Sequence, residues 1–329
     1  MKAIVYHNYG SPDVLRCEEI EKPTAGDNEV LIRVRAASVN PADWRLLRGA
    51  PYILRMLFGL RTPSITRPGR LGVDVAGQVE AVGRSVTQFK PGDDVFGACR
   101  GALAEYACAS EPKLAVKPDN VTFEQAASVP VAALTALQGL RDKGQIQPGQ
   151  KVLINGAAGG VGTFAVQIAK WFGAEVTGVC STRNVDMVGS LGADRVIDYT
   201  QEDFTNSGQR YDLILDNVGN HSLSACRRVL DAKGILVIAG GPKKGWIVLV
   251  RALKALVLSC FVSQKMLFFI ARINTADLTL VGKLIEAGKV TPVIDKRYRL
   301  NEVPEAVRYL EEGHARGKVV ITLEHNNKT

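Results

Sequence analysis

A run of closely spaced glycines near the middle of the chain has the residue types and spacing of a phosphate-binding turn. The run reads Gly-Ala-Ala-Gly-Gly-Val-Gly over residues 156–162. Gly156 permits a sharp turn, and Gly162 lets a helix pack closely on a strand. The N–H groups of the residues between them can then approach a pyrophosphate. We assign to this turn Gly156, Ala158, Gly159, Gly160, Val161 and Gly162.

The sequence on both sides of this turn predicts the elements that must position it. Apolar residues 152–154 read as a buried parallel strand, and residues 163–171 repeat their apolar positions with a helical period. A second apolar run follows at residues 175–179. Strand, glycine turn, helix and second strand form a βαβ unit of the expected size, which predicts a dinucleotide site with the helix's positive end facing the phosphates.

The residues after the second strand indicate which nicotinamide dinucleotide binds. NAD-selective sites usually carry an acid there, which accepts hydrogen bonds from the ribose hydroxyls. This chain has Ser181, Thr182 and Arg183 instead, and the nearest acid, Asp186, is expected within the following helix. Two hydroxyl donors and a guanidinium suit a 2'-phosphate, so NADPH is predicted. The alternative for Arg183 is a solvated residue at a helix start.

The length and amino-acid composition limit the class of protein to which this chain can belong. The chain has 329 residues, of which 46% are hydrophobic and 22% charged, as in soluble globular proteins of two domains. Its net charge is +8, but no block of five like charges suggests nucleic-acid binding. Six scattered cysteines without a Cys-x-x-Cys pair suggest reduced thiols. With no charged leader or apolar signal core at the start, we expect a cytoplasmic protein.

Residues 246–262 are the one stretch that suggests a membrane. The segment is strongly apolar but is interrupted by Arg251 and Lys254, and it is too short for a span of ~30 Å, so no transmembrane helix is predicted. Two interpretations stay open. The segment covers the active-site mouth or a subunit interface, or it makes a peripheral membrane contact with snorkelling basic residues.

The apolar patterns divide the chain into three parts. Residues 1–122 contain short apolar runs broken by glycine and proline, which predicts a barrel-like β domain. Residues 123–274 alternate between helix and strand patterns, which predicts a doubly wound parallel sheet. Residues 275–329 carry two helix patterns and a strand, and they are expected to return to the first domain.

This order of domains and the glycine turn resemble the medium-chain dehydrogenase/reductase superfamily, and the resemblance covers essentially the whole chain. It implies an α/β fold, with a GroES-like β-barrel catalytic domain and a Rossmann dinucleotide-binding domain. The zinc-less quinone oxidoreductase branch, which includes zeta-crystallin, is resembled most closely. Further motifs that carry the resemblance lie at residues 37–44, 71–77, 90–97, 132–136, 216–219 and 317–320.

The resemblance also implies further cofactor contacts. Thr135 is expected to approach the cofactor from the helix before the glycine turn, and Tyr199 to flank its adenosine end. Lys318 matches a basic position that reaches a phosphate, although a surface lysine is the alternative. Asn217 and Val218 follow the fourth strand and Gly240 the fifth, at the edge of the sheet where such folds bind ligands.

The zinc ligands of the superfamily's alcohol dehydrogenases are not matched here. By resemblance, their places are taken by Asn40, Val73 and the apolar residues 129–132. Only Cys99 and Cys108 fall in the region of the structural zinc lobe, which is too few for a tetrahedral set. We therefore predict no metal site, and without a Lewis acid the reduction of an activated acceptor is favoured over alcohol oxidation.

Three residues are candidates for the catalytic side. Asn40 can hydrogen-bond the nicotinamide ribose or a developing oxyanion. Asp43 is either catalytic or a structural partner of a backbone turn. Tyr52 can stack on a flat substrate or donate a proton, or it only packs beside the pocket.

These features together predict an NADPH-dependent reductase of quinones or α,β-unsaturated carbonyls that works without metal. A homodimer is expected from the resemblance. A second hypothesis is a non-catalytic protein that senses NADPH or binds a membrane or partner on the same fold. An alcohol dehydrogenase with atypical ligands is the remote alternative.

Overall fold

The structure is a computed structural model that describes residues 1–49, 68–242, 245–259 and 262–324. Its strands are β1 (Lys2–Tyr6), β2 (Arg16–Glu19), β3 (Glu29–Val39), β4 (Gly69–Arg70), β5 (Asp74–Val82), β6 (Asp94–Ala98), β7 (Tyr106–Ser110), β8 (Leu114–Val116), β9 (Lys151–Asn155), β10 (Glu175–Cys180), β11 (Arg195–Asp198), β12 (Tyr211–Asp216), β13 (Leu230–Ile238), β14 (Lys265–Phe268), β15 (Ile294–Arg299) and β16 (Lys318–Thr322). Its helices are α1 (Pro41–Leu47), α2 (Phe123–Ala127), α3 (Pro130–Gln138), α4 (Gly160–Trp171), α5 (Val185–Ser190), α6 (Leu223–Arg228), α7 (Gly245–Ser259), α8 (Thr275–Glu286) and α9 (Val303–Glu312).

The chain separates into two compact units, and each is assembled from distant parts of the sequence. The first contains Met1–Val131, Ile273–Ala287 and Pro292–Thr329. The second contains Ala132–Arg272 and Gly288–Thr291. The C-terminal residues thus return to the first unit.

The first unit is built on two sheets of mainly antiparallel strands. In the described residues, the larger sheet has the order β15-β16-β3-β5-β6-β8, with β7 also paired to β3, and the smaller has the order β2-β1-β4. The β15–β16 pair is parallel. β16 pairs antiparallel with β3, so Val319 lies opposite Val39. This pairing places the start of the last strand beside the end of β3, where α1 begins.

The second unit is a parallel sheet with helices along it. Its described strands have the order β11-β10-β9-β12-β13-β14, and all the pairs between them are parallel. Four of the five residues of β9 are buried, as expected of a strand covered on both faces. The order of the strands reverses between β9 and β12, and in such sheets ligands bind at the carboxyl ends of the strands next to that reversal.

Two features of the fold differ from the sequence-based expectations. The sequence pattern over residues 123–143 predicts one helix, but the structure has two, α2 and α3, because Pro130 disfavours a helical conformation at the preceding residue. The first unit extends to Val131 rather than to residue 122, since α2 contacts β3 and β5 of that unit. The helical pattern shows where helix formation begins, but not which sheet the helix packs on.

Candidate functional site

The glycine turn between β9 and α4 requires glycine at both of its ends. Gly156 has a φ of +79°, and a Cβ atom on it would lie 2.7 Å from Cγ2 of Val218. A Cβ atom on Gly162 would lie 2.1 Å from the carbonyl oxygen of Gly156. The turn is therefore closed against itself and against the loop after β12, and a larger residue at either position would open it.

The N-terminus of α4 has the properties of an anion site. Gly159 precedes the helix without a side-chain cap, and the first turn contains no acidic residue. The N–H groups of the first turn have no partners within the helix, and they carry the positive end of the helix dipole. Gly159, Gly160 and Val161 are half-buried and Ala158 is buried. These features fit the pyrophosphate of a dinucleotide.

An acidic residue that was not predicted from the sequence lies beside the end of β10. In the parallel register of the sheet, Cys180 at the end of β10 lies beside Asp198 at the end of β11. The Thr182 hydroxyl donates a 2.6 Å hydrogen bond to Oδ2 of Asp198, and this bond is the main reason that the pKa of the Asp198 carboxyl is lowered. Thr182 is therefore already bound to a carboxylate, whereas the sequence predicted it as a donor to a 2'-phosphate.

The other residues of this corner remain near the edge of the sheet. Oγ of Ser181 accepts a hydrogen bond from the side-chain amide of Asn184 at 3.1 Å, and Arg183 is exposed. The backbone N–H of Tyr199 donates to the carbonyl of Cys180, which places this 54% exposed side chain beside the end of β10. The predicted adenosine-side residues thus share one corner of the second unit.

The loop after β12 is organised by a buried carboxylate. Oδ1 of Asp216 accepts hydrogen bonds from the N–H of Val218 at 3.1 Å, the N–H of Gly219 at 2.8 Å and the side-chain amide of Asn155 at 2.9 Å. Its Oδ2 accepts a 2.8 Å bond from Arg251 of α7. Asp216 and Arg251 are each at least nine-tenths buried, so this ion pair holds the loop from its buried side. Neither residue was predicted from the sequence to be part of a site.

The remaining predicted residues of the second unit lie around the same sheet edge or on α3. The side-chain amide of Asn217 donates to the carbonyl of Asn155, and Val218 is 39% exposed. A Cβ atom on Gly240 would lie 2.1 Å from the carbonyl oxygen of Asn217, so this position requires glycine as well. Thr135 is half-buried on α3. Contact of these residues with a cofactor stays a prediction.

The first unit contains a buried polar cluster in which Asp74 is the common acceptor. Its Oδ2 accepts hydrogen bonds from the Ser38 hydroxyl at 2.8 Å, the Asn40 amide at 2.9 Å and the Lys318 ammonium at 3.1 Å. Its Oδ1 accepts the N–H of Val131 at 2.9 Å. Asp74 is fully buried, and Lys318 is 4% exposed. A carboxylate in such a position must be paired, and Lys318 supplies the charge.

Asn40 connects the two charged groups. Its Oδ1 accepts a 2.6 Å hydrogen bond from Nζ of Lys318, while its side-chain amide donates to Asp74. An asparagine amide carries two N–H donors, and Asp74 uses one of them. The amide orientation is therefore fixed by its neighbours, with the ammonium on its oxygen side. Lys318 is not the surface lysine that the sequence left open, and its predicted contact with a cofactor phosphate stays a prediction.

Asp43 is bound to the backbone on both sides of its carboxylate. Oδ2 accepts the N–H of Asn40 at 2.7 Å, and Oδ1 accepts the N–H of Gly72 at 2.9 Å. Burial raises the pKa of Asp43 from 3.8 to about 6, although these two hydrogen bonds act in the opposite direction. These bonds describe the structural role that the sequence left open for Asp43. A catalytic role stays a prediction.

Two other predictions of the sequence bear on the site. Tyr52 lies outside the described residues. Within the residues that the structure describes, no group of three or more His, Cys, Asp or Glu side chains has an arrangement that would hold a metal ion.

Comparisons with known proteins place the chain in a family. Residues 26–119 match the family described as alcohol dehydrogenase GroES-like domain, and residues 191–321 match the one described as zinc-binding dehydrogenase. The chain is 37% identical to the mouse (Mus musculus) mitochondrial NAD(P)H oxidoreductase RTN4IP1, over 98% of this chain and 89% of that protein. It is 35% identical to the 2-methylene-furan-3-one reductase of Solanum lycopersicum, over 98% of this chain and 79% of the relative.

The fold leads to the same group of proteins. The structure of the quinone oxidoreductase from Coxiella burnetii matches with a TM-score of 0.87 and 32% identity, over 98% of this chain and 99% of that one. The predicted combination of a GroES-like domain and a Rossmann domain is thereby confirmed. The chain belongs to the medium-chain dehydrogenase/reductase superfamily, in its quinone oxidoreductase branch.

Proposed function

We propose that this protein is an oxidoreductase that uses NADPH to reduce quinones or α,β-unsaturated carbonyl compounds without a metal. The observation that carries the proposal is the buried Asn40 amide, which Lys318 on its oxygen side and Asp74 on its nitrogen side hold in one orientation. The second unit separately provides the uncapped helix terminus and the closed glycine turn that suit a dinucleotide. Two relatives, an NAD(P)H oxidoreductase and a 2-methylene-furan-3-one reductase, support the same class.

Binding of the cofactor is assigned to the second unit. The N–H groups at the start of α4 would hold the pyrophosphate, and Gly156 and Gly162 allow its close approach. Arg183 would bind the 2'-phosphate, with Tyr199 beside the adenine. Asp198 works against binding of the 2'-phosphate, because its negative charge lies next to Thr182 and repels a second anion. Arg183 is thus the main residue that favours NADPH over NADH.

Polarisation of the acceptor is assigned to the first unit. When bound, the nicotinamide supplies the hydride. Asn40 would donate its second amide N–H to the oxygen of a quinone or enone, where negative charge develops as the acceptor is reduced. The Lys318 ammonium on the opposite side of the amide strengthens that donor, since it draws electron density toward Oδ1. A preorganised donor of this kind contributes a factor of roughly 10² to 10³ in rate.

The proton that completes the reaction is expected from solvent. Asp43 is buried, and each of its carboxyl oxygens is held by a backbone N–H group, so this side chain is poorly placed to protonate a bound substrate. A quinone or enone is sufficiently electrophilic that the reduced product can be protonated by water.

The experiment that tests this proposal is stopped-flow absorbance at 340 nm with NADPH and either a small quinone or an alkenal. We expect oxidation of NADPH by at least one acceptor class. Binding of NADPH without oxidation by any acceptor of either class would instead support the non-catalytic alternative.

Cofactor preference is tested with the Arg183→Ala variant. Loss of a charge-assisted contact worth about 1.5–3 kcal/mol should raise the KM for NADPH by roughly 10-fold to 100-fold and leave the KM for NADH nearly unchanged. Arg141→Ala is the matched control on the same unit, because Arg141 pairs with the adjacent Asp142 at the surface. An equal change for both cofactors would contradict the role of Arg183.

A further inference from the structure

One face of α7 presents large apolar side chains to solvent. Leu253 is 55% exposed, Val257 is 58% exposed and Val250 is 38% exposed. These positions are three, four and seven residues apart, so they lie along one side of the helix. We call Val250, Leu253 and Val257 the apolar stripe.

The apolar stripe borders an open groove of about 710 Å³ between α7 and the start of α6. Leu223 of α6 and Ile247 and Leu258 of α7 line it together with the stripe. Lys254, which is exposed, lies at the same groove. The surface therefore combines contiguous apolar side chains with a positive charge.

The sequence around the stripe is uniformly basic. Between Asp231 and Asp277 the chain has no acidic residue. This one segment has seven basic residues, of which Arg251 is neutralised by its buried ion pair with Asp216, so six other positive charges remain. Its basic residues are Lys233, Lys243, Lys244, Arg251, Lys254, Lys265 and Arg272. Such a segment attracts an anionic surface.

The helix is attached firmly to the second unit from its opposite side. Arg251 pairs with Asp216 and also donates to the carbonyl of His221. At its C-terminal end, the Ser259 hydroxyl accepts the N–H of Met266 of β14 at 2.9 Å. These bonds hold the buried face of α7 in place, so the apolar stripe faces outward in the folded protein.

The length of α7 suits a helix that lies in the plane of a membrane. Its 15 residues extend over about 22 Å, compared with a bilayer core of ~30 Å. Among the helices that the structure describes, none is both long and apolar enough to cross a membrane. An amphipathic helix with basic flanks instead inserts its apolar side between the headgroups of anionic lipids.

We propose that α7 is a docking surface for anionic lipid bilayers, with the apolar stripe inserted and Lys254 at the headgroups. The lack of acidic residues in 232–276 and the exposed Lys254 beside the apolar stripe favour an anionic occupant. The proposal does not depend on turnover, because binding to vesicles is measured without substrate or cofactor.

The test is flotation of the full-length protein with vesicles of phosphatidylcholine alone or of phosphatidylcholine with phosphatidylglycerol. We expect binding to the anionic vesicles only, and weaker binding at 0.5 M NaCl because salt screens the charges. Lys254→Glu should weaken this binding by roughly 25-fold, at about fivefold for each unit of charge. Leu253→Ser with Val257→Ser should weaken it by about tenfold, through loss of the inserted apolar area.

Matched controls separate these effects from general ones. Lys289→Glu makes the same charge change at an exposed site of the second unit, and Val116→Ser removes an equally exposed valine from β8. Both should change vesicle binding by less than threefold. The stripe residues are more than half exposed at the two substituted positions, so the variants should unfold at the temperature of the wild type.

Three results would overturn the proposal. The first is a lack of binding to anionic vesicles by the unmodified protein. The second is an equal loss of binding in the control variants. The third is a fall in molar mass, measured by light scattering, when the stripe is substituted while vesicle binding is unchanged, because the stripe would then be an interface between copies of the chain.

Discussion

The stability of the folded protein should depend on pH through the buried carboxyl group of Asp43. Burial raises the pKa of this carboxyl from 3.8 to about 6 in the folded protein. The folded state therefore binds a proton more tightly than the unfolded state between about pH 4 and pH 6, so stability is highest when the carboxyl is protonated. As the pH rises through this window, deprotonation of Asp43 should lower the free energy of unfolding. A pKa difference of about two units, at ~1.4 kcal/mol for each unit, gives a total of about 3 kcal/mol.

The perturbation that isolates this effect is Asp43→Asn. The substituted amide does not titrate, and its oxygen can accept only one of the two backbone N–H groups that Asp43 accepts, from Asn40 and Gly72. Loss of the other bond costs about 1–3 kcal/mol at every pH. The variant should therefore be clearly less stable than the wild type at pH 4, and the difference should shrink by about 3 kcal/mol, or reverse, at pH 7.

The assay is urea unfolding of both proteins at pH 4, 5, 6 and 7. A stability difference that stays constant within about 0.5 kcal/mol over this range would refute the reasoning, because the carboxyl would then have the same pKa in both states. The kcat/KM profile provides a second readout. If Asp43 only accepts hydrogen bonds from the backbone, its substitution leaves the shape of the kcat/KM against pH curve unchanged. If the substitution removes a change in kcat/KM near pH 6, Asp43 takes part in catalysis.

Three further predictions follow from the same contacts. Lys318→Met should lower the free energy of unfolding, measured with urea, by about 3–5 kcal/mol, because it leaves Asp74 charged and buried without a partner. Adding Asp74→Asn should recover part of that loss. Unchanged stability of the single variant would contradict the ion pair. Asp198→Asn should lower the KM for NADPH by roughly threefold to tenfold without a matching change for NADH, since a repulsive charge is removed; a higher KM for NADPH would contradict this. Gly162→Ala should cost at least ~2 kcal/mol and abolish NADPH binding measured by fluorescence, whereas Gly189→Ala, where a Cβ meets open space, should be neutral; equal effects of both would argue against the closed turn.

Local patterns in the sequence were sufficient to predict the family and the main architecture. The glycine turn, its strand and its helix are consecutive, so their apolar periods and spacing show directly in the sequence. The alternation of strand and helix patterns predicted the parallel sheet for the same reason. The quinone oxidoreductase branch and the two-domain fold are confirmed.

Contacts between distant residues could not be predicted in the same way. Lys318 and Asp74 are separated by 244 positions, and their pairing depends on β16 lying beside β3. Asp198 was missed because it belongs to β11, and only the register of two parallel strands brings it beside the end of β10. The sequence shows which residues are acidic or basic, but burial and strand pairing decide which charges meet.

The central claim is that this chain transfers a hydride from NADPH to an activated carbonyl compound. Its most direct test uses NADPH that carries deuterium at the transferred position of the nicotinamide, together with an alkenone or a quinone. With the alkenone, we expect mass spectrometry to find one deuterium on the β-carbon of the saturated product. With the quinone, we expect reduction at the same time as NADPH is consumed. Unlabelled product, or unchanged acceptors beside intact cofactor, would contradict the claim.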